Sequence, residues 1–138
     1  MRMSGRIRCS LLIRGGGAKT IGPNAQAGKV WEQNVDTIAR GKYGSSNVES
    51  QVLVRPLDAS GNPVNYRVRL DNTISQPGQQ LRLVDAKGSQ SAGYTRNQTK
   101  GYPLLQQNGG VIESGSVRGT VIPRTRVERI DPVGIGNL

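Results

Sequence analysis

The stretch from residue 51 to residue 70 constrains the fold most strongly, because it has the pattern of a β-hairpin. Two arms of alternating apolar and polar residues flank residues 58–63, Asp-Ala-Ser-Gly-Asn-Pro, and Gly, Asn and Pro are typical of a connecting loop. Pairing the arms with Val54 opposite Val68 places most of the apolar side chains on one face and leaves Leu53 and Leu57 on the other, since side chains alternate along a strand. The pattern therefore predicts a sheet with one face turned toward a core.

The other face of this predicted hairpin carries three arginines, Arg55, Arg67 and Arg69. In the same register Arg55 lies opposite Arg67, and like charges directly opposed across two strands are destabilising. An anionic partner would remove that cost, so we predict that this face binds phosphate or carboxylate groups. The alternative is that the three arginines only keep a half-exposed sheet soluble.

The composition limits the size of the core. Hydrophobic residues make up 34% of the 138 residues, there is no Phe, and 19 residues are Gly. Glycines add to the conformational entropy that folding must overcome, and a chain of this length is in the range of one domain. We therefore expect a small, single-domain, mostly β fold, either a sheet or a barrel or sandwich, with extended arms that neighbouring chains or a tightly wrapped partner help to order.

The best candidate for a helix is residues 24–40. Val30, Trp31 and Val35 fall near helical spacing, and Gly41 is suited to end the helix. Helical spacing is scarce elsewhere in the chain. The sequence thus predicts at most one substantial helix.

Residues 86–110 are rich in Gly, Gln, Asn and Ser and are predicted to form an irregular loop. A loop of this length is rare in a compact domain unless it binds something. Tyr94 and Tyr102 lie in it beside basic residues, and tyrosines in such a setting stack on nucleic-acid bases or become buried at protein interfaces. We assign both tyrosines to an interface and leave its partner open.

The charge of the chain is strongly basic and unevenly distributed. The formal net charge is +10, and residues 1–29 hold six basic residues and no acidic one. This distribution favours a basic arm that lies on a polyanion or on an acidic protein. We predict an extended arm at 1–29 with a strand at 6–14, a β-rich body at 30–130 and an extended tail at 131–138. The candidate anion-binding residues of the arm are Arg2, Arg6, Arg8, Arg14 and Lys19.

The residues that most often carry catalysis are scarce. The chain has no His and one cysteine, Cys9. The commonest general base and metal ligand is therefore missing, and one thiolate cannot build a metal site. We predict a protein that is not an enzyme and has no metal or cofactor, with a carboxylate pair or a Ser–Lys pair as the catalytic alternative. Because no apolar run approaches the ~18 residues of a membrane span and no secretion signal is evident, we expect a protein that neither spans a membrane nor is secreted.

Three classes of function are compatible with these features. The first is a structural subunit of a large assembly, in a virion or the cytoplasm: a coat, cement or tail-associated protein in contact with neighbouring subunits, or a basic linker that joins acidic proteins. The second is a basic module that binds nucleic acid. The third is an enzyme, which the residue types favour least.

Overall fold

The structure is a computed structural model that describes residues 23–138. Its centre is one six-stranded sheet. The strands are β1 (Val48–Pro56), β2 (Val68–Ile74), β3 (Arg82–Ala86), β4 (Gly110–Ile112), β5 (Val121–Ile122) and β6 (Val127–Ile130). Their order across the sheet is β5-β4-β1-β2-β3-β6, and neighbouring strands are antiparallel except for β3 and β6, which are parallel. The predicted fold class, a small, mostly β single domain with one substantial helix, is confirmed.

The central pair of strands has the register that the alternation predicts. Val54 pairs with Val68 and Val52 pairs with Leu70, and all four side chains are buried. The strands are shorter than the two predicted arms, because β2 begins at Val68. Arg67 therefore precedes the strand, and the expected cross-strand pair of like charges does not form.

A helix covers each face of the sheet. The first, α1 (Pro23–Tyr43), packs Val35 and Ala39 against Val84, while the second, α2 (Arg96–Asn108), packs Leu105 in the cluster that contains Leu83. Leu83 and Val84 are consecutive in β3 and so point to opposite faces. The sheet is thus the middle layer between the two helices.

The strand β1 contributes to both cores, although its buried residues are all at even-numbered positions, which in a regular strand lie on one face. Val48 belongs to the cluster under α1 and Val52 to the cluster under α2. Their side chains can reach opposite faces only if the strand reverses its side-chain direction between them. Gln51 lies there with φ of 56°. This left-handed conformation is uncommon outside Gly, and it changes the side-chain direction without shifting the register, which pairs Ser50 with Asn72 before it and Val52 with Leu70 after it.

The helix α2 occupies part of the region that the sequence analysis predicted as an irregular loop, and that prediction is wrong. Thr95 begins the helix with a capping box: its hydroxyl accepts a hydrogen bond from the Gln98 amide, and the Gln98 side chain accepts one from the Thr95 amide. Only Gly101 and Leu105 of this helix are buried. Two buried positions produce too little apolar periodicity for the helix to be recognised.

The two ends of the chain differ from the predicted arm and tail. Residues 23–29 are the first turns of α1 and not part of an extended arm, whereas the strand predicted at 6–14 lies outside the described residues. At the other end, residues 135–137 form a 3₁₀ turn and Leu138 is buried. The Tyr43 hydroxyl and the Arg82 guanidinium donate hydrogen bonds to the Leu138 carbonyl, so this end is attached to the body. Neither helix between residues 23 and 138 is long and apolar enough to cross a membrane.

Candidate functional site

A groove of about 750 Å³ lies between α2 and residues 123–126, which join β5 to β6. Tyrosines and amide side chains from α2 and the residues before it form one wall, and three arginines lie on the other. The side chains that matter most are Tyr94, Tyr102, Arg124, Arg126 and Arg129. None of the described residues that line it is acidic. We call this site the arginine–tyrosine groove.

Residues 123–126 are held in place by the body of the protein. The Thr125 amide donates a hydrogen bond of 2.9 Å to the Leu105 carbonyl, and the Gln80 side chain donates one of 2.6 Å to the Thr125 hydroxyl. Gly109 allows this close approach, since a Cβ there would overlap the Ile122 carbonyl oxygen. The arginines on either side of the buried Thr125 are thereby presented on a fixed backbone.

Arg124 and Arg126 are exposed. Among residues 23–138, no carboxylate oxygen lies within 4.0 Å of either guanidinium. An arginine guanidinium is planar and suited to grip phosphate with two hydrogen bonds. These two side chains are therefore available to an anionic ligand.

Arg129 has a different role from the two exposed arginines. Its Nη2 donates hydrogen bonds of 2.8 to 3.0 Å to the carbonyls of Ser89, Gln90 and Ala92, and its guanidinium carbon lies 5.3 Å from the centre of the Tyr94 ring. The hydrogen bonds of Nη2 are thus made to the segment that precedes α2 and contains Tyr94. Arg129 therefore positions Tyr94.

The two tyrosines of the groove are in edge-to-face contact. Their ring centres are 5.6 Å apart and their planes are at 82°. Tyr94 is 47% exposed, whereas the Tyr102 hydroxyl is buried. Burial, together with the nearby Asp85 carboxylate, raises the pKa of Tyr102 far above its usual value, so its phenol stays neutral. Lys87 Nζ also lies 5.2 Å from the centre of the Tyr94 ring, and Tyr94 is the tyrosine of the pair that retains surface open to a ligand.

Behind Tyr102 lies a buried carboxyl pair, Asp71 and Asp85, with exposures of 7% and 1%. Asp71 accepts a hydrogen bond of 2.7 Å from the Ala86 amide, and Lys87 Nζ lies 3.5 Å from Asp85 Oδ2. Burial raises the pKa of both carboxyls and, with the charge of Glu32, raises that of Asp71 to about 7. The pair thus retains a proton near neutral pH, because two buried charges cannot both be accommodated.

This carboxyl pair is the arrangement that the catalytic alternative requires, and the sequence analysis did not find it. The two residues are 14 positions apart, and each directly follows a buried apolar strand residue. This position next to a buried strand residue was the only feature of the sequence that could have indicated the pair. Both residues line a second, smaller cavity of about 360 Å³, although their low exposure leaves little carboxyl surface for a substrate to contact. They adjoin the arginine–tyrosine groove through Tyr102 and Gln98, whose Nε2 is 3.3 Å from Asp85 Oδ1.

The arginines predicted on the hairpin are divided by the structure. Arg55 forms two hydrogen bonds of 2.8 and 3.1 Å with the Glu113 carboxylate, which raises the pKa of Arg55 and lowers that of Glu113. Arg67 and Arg69 are exposed and have no such partner in the part of the chain that the structure describes. None of the three lines the arginine–tyrosine groove. Their role in binding an anion stays a prediction.

The remaining candidates are outside the described residues or were missed. Arg2, Arg6, Arg8, Arg14 and Lys19 precede residue 23. Arg124 and Arg126 were not singled out, although their spacing around Thr125 places both side chains on one side of an extended segment. Between residues 23 and 138 no cluster of three or more His, Cys, Asp or Glu side chains is arranged to hold a metal ion.

Comparisons of the chain with models of protein families, with curated proteins and with solved structures find no match. The interpretation of the groove therefore depends on its own geometry and charge.

Proposed function

We propose that this protein, which we take not to be an enzyme, binds single-stranded nucleic acid in the arginine–tyrosine groove. The observation that supports the proposal is the placement of Arg124 and Arg126 across the groove from the partly exposed Tyr94, since neither arginine has a carboxylate partner among residues 23–138. Proteins that bind single strands combine cations that follow the phosphates with aromatic rings on which bases stack. The groove offers both on a fixed framework.

Single-stranded nucleic acid fits the groove better than a duplex. Tyr94 lies in the groove and not on a projecting helix or ribbon that could enter a groove of the duplex. A base can therefore stack on its ring only after it has separated from the neighbouring bases of its own strand. The glutamines of the wall, Gln106 and Gln107, are exposed and can hydrogen-bond base edges. We therefore expect the chain to bind a single strand more tightly than the same sequence in duplex form.

The test is fluorescence anisotropy with a labelled single strand of about 12 nucleotides, within the usual range of such sites. The variants are Arg124→Gln, Arg126→Gln and the matched control Arg118→Gln, an exposed arginine outside the groove. Each groove variant should reduce the slope of log K against log salt by ~0.7, the value for one phosphate contact to a single strand. If Arg118→Gln lowers the slope as much as the groove variants do, binding is diffuse and the proposal fails.

A second candidate function is a structural subunit of a large assembly, such as a coat, cement or tail-associated protein in a virion or cytoplasmic particle. It is favoured by apolar side chains that no described residue covers: Val30 and Ile38 on α1, Val121 on the edge strand β5, which is 65% exposed, and Val133. Neighbouring subunits would remove this surface from water. The two functions are compatible, because a subunit can also bind the genome it encloses.

The assembly candidate is tested by light scattering of the purified chain with and without a long single strand. We expect the scattering mass to rise with the strand beyond one bound protein per site length. Substituting Val121→Lys on the edge strand should then block the larger species and leave the affinity for a short strand unchanged. A protein that stays monomeric on a saturated long strand would refute the assembly role and leave nucleic-acid binding intact.

A further inference from the structure

We propose that Lys87, which does not line the arginine–tyrosine groove, positions Tyr94 for base stacking and makes that stacking depend on the charge of the buried carboxyl pair. The inference rests on the proposed function of the groove and deepens it, because it assigns a regulation to that site. The protein should bind a single strand more tightly at pH 6 than at pH 8. Lys87 is a positioning residue in this account and does not touch the strand.

The Lys87 ammonium contacts both the wall of the groove and the carboxyl pair. Its Nζ donates a hydrogen bond of 2.9 Å to Gln98 Oε1 and lies 5.2 Å from the centre of the Tyr94 ring. A cation over the face of an aromatic ring is attracted to it and so restrains the ring. The same Nζ is 3.5 Å from Asp85 Oδ2. One side chain therefore connects two residues of the groove with the pair.

The Gln98 side chain extends this connection to the backbone next to Tyr94. Its Oε1 also accepts a hydrogen bond of 2.9 Å from the Thr95 amide, as part of the capping box, and its Nε2 donates one of 3.3 Å to Asp85 Oδ1. Tyr94 directly precedes Thr95 in the chain. A displacement of Lys87 or Gln98 therefore changes both the ring contact and the backbone that carries Tyr94.

The contact between Lys87 and Asp85 is incomplete. Asp85 Oδ2 is buried and accepts no hydrogen bond from the residues between 23 and 138. A buried acceptor without a hydrogen bond is costly. A further negative charge on the pair would add to the attraction on the ammonium, so Nζ would move toward Oδ2 and away from Gln98 and Tyr94. The charge of the pair thus determines how firmly the ring of the groove is held.

The group that changes this charge near neutral pH is Asp71. Burial and the charge of Glu32 raise the pKa of Asp71 to about 7, and burial raises the pKa of Asp85 as well. Asp71 is held in place by the hydrogen bond of 2.7 Å that its Oδ2 accepts from the Ala86 amide, directly before Lys87. The pair therefore becomes more negative as the pH rises through 7, and the restraint on Tyr94 weakens.

Other charged or titratable side chains of the described chain surround the pair. They are Lys29, Glu32 and Asp36 from α1, Arg67 and Arg69 from the hairpin, and Tyr102 from α2. Although burial acts to raise it, hydrogen bonds from Ser50 and Arg40 leave the pKa of Asp36 below its usual value. Burial raises the pKa of Tyr102 far above its usual value. Neither group therefore changes its charge between pH 6 and pH 8.

The test is fluorescence anisotropy at pH 6, 7 and 8 and constant salt, with a labelled strand of about 12 thymidines, whose bases do not titrate in this range. The affinity of the parent protein should fall about two- to fivefold from pH 6 to pH 8, the contribution of one exposed contact between a cation and a ring. Asp71→Asn keeps the neutral form and should bind at every pH as the parent protein does at pH 6. Tyr94→Leu should bind weakly with no dependence on pH.

Substitutions of Lys87 test its role as a positioning residue. Lys87→Met should bind at pH 6 as weakly as the parent protein does at pH 8, and the conservative Lys87→Arg should restore the affinity at pH 6. Lys42→Met is a matched control, since Lys42 Nζ lies 5.4 Å from the centre of the Tyr43 ring at the end of α1. It should leave the pH dependence unchanged. Should Lys87→Met fail to fold, by circular dichroism, Asp71→Asn and Tyr94→Leu decide.

The outcomes separate this inference from the function on which it rests. If Arg124→Gln does not weaken binding at pH 6, the groove is not the site and the proposed function fails. If Arg124→Gln weakens it but the parent protein binds equally at pH 6 and pH 8, or Asp71→Asn keeps the dependence on pH, the groove stands and the regulation is wrong. If Tyr94→Leu keeps that dependence, or Lys42→Met weakens binding as much as Lys87→Met does, Lys87 does not position Tyr94.

Discussion

The arginine–tyrosine groove and the buried carboxyl pair are both next to Tyr102, and they differ in how the protein accommodates neighbouring groups of like charge. In the groove, Arg124 and Arg126 keep their charges in contact with water and without an acidic neighbour among the described residues. Behind it, Asp71 and Asp85 are buried, and burial raises the pKa of both carboxyls. Burial thus favours the neutral form of the two carboxyls, whereas the charges of Arg124 and Arg126 remain available to a partner.

The hairpin supports the same distinction. Arg55 lies in a strand and is neutralised by Glu113, while Arg124 and Arg126 of the groove lie in a connecting segment. Sequence alone does not distinguish the two kinds of arginine. Only the tertiary partner decides whether an arginine belongs to the framework or to the site.

The largest expected effect concerns the carboxyl pair and stability. Since the pKa of Asp71 is raised from 3.8 to about 7, the folded protein binds more protons than the unfolded chain between these values. Stability contributed by this group is present below pH 4 and is lost as the pH rises to about 7, by on the order of 4 kcal/mol. Urea denaturation of Asp71→Asn, which keeps the neutral form, should show the variant gaining on the parent protein as the pH rises from 5 to 8.

Comparison with the parent protein at each pH isolates this effect. The pKa values of Asp36 and Glu113 are lowered, so their contribution is lost as the pH falls and acts in the opposite direction. If the difference in stability between the variant and the parent protein does not change between pH 5 and 8, Asp71 is ionised in the folded state. The contrast between the two regions would then be wrong.

The next effect concerns the exposed ring of the groove. Tyr94→Leu should weaken binding of a single strand by ~1–3 kcal/mol, the contribution of one stacked base, because the leucine cannot stack. Its urea midpoint should change little, because the ring is 47% exposed. Equal loss of binding and of stability would instead mean that Tyr94 belongs to the framework, as Tyr102 does.

The smallest effect tests the hairpin. Glu113→Gln releases Arg55 from its ion pair, and because both partners are partly exposed we expect only a small fall in the urea midpoint. The salt slope for a short single strand should not change, since Arg55 does not line the groove. A steeper slope in this variant would show that the hairpin face, with Arg67 and Arg69, contacts the strand.

Features that depend on residues close together in the sequence were easier to predict than features that depend on distant residues. The register of β1 and β2 was predictable because alternation is local, and Val54 opposite Val68 places Val52, Val54, Val68 and Leu70 on one side. The helix α2 was missed because it buries only Gly101 and Leu105, even though the capping-box residues were present in the sequence. Local patterns fail where an element is held by few buried residues.

The site was less predictable than the fold because distant segments build it. Tyr94 and Tyr102 were identified as interface residues, but Arg124 and Arg126 are held near them by hydrogen bonds of Thr125 with the distant residues Leu105 and Gln80. The carboxyl pair likewise depends on β2 and β3 being neighbours. Contacts between segments that are distant in the sequence cannot be recognised from composition or from residue spacing.

The most direct measurement of the central claim is photo-crosslinking of a single strand that carries 5-iodouracil, with the attached residue identified by mass spectrometry. The proposed function predicts attachment at Tyr94, with any further sites at residues 98–107 or 124–129 that border the groove. A short strand of about 4 nucleotides should be confined to these residues. Crosslinks found only on the hairpin face, at residues 53–69, or only before residue 23 would contradict the account.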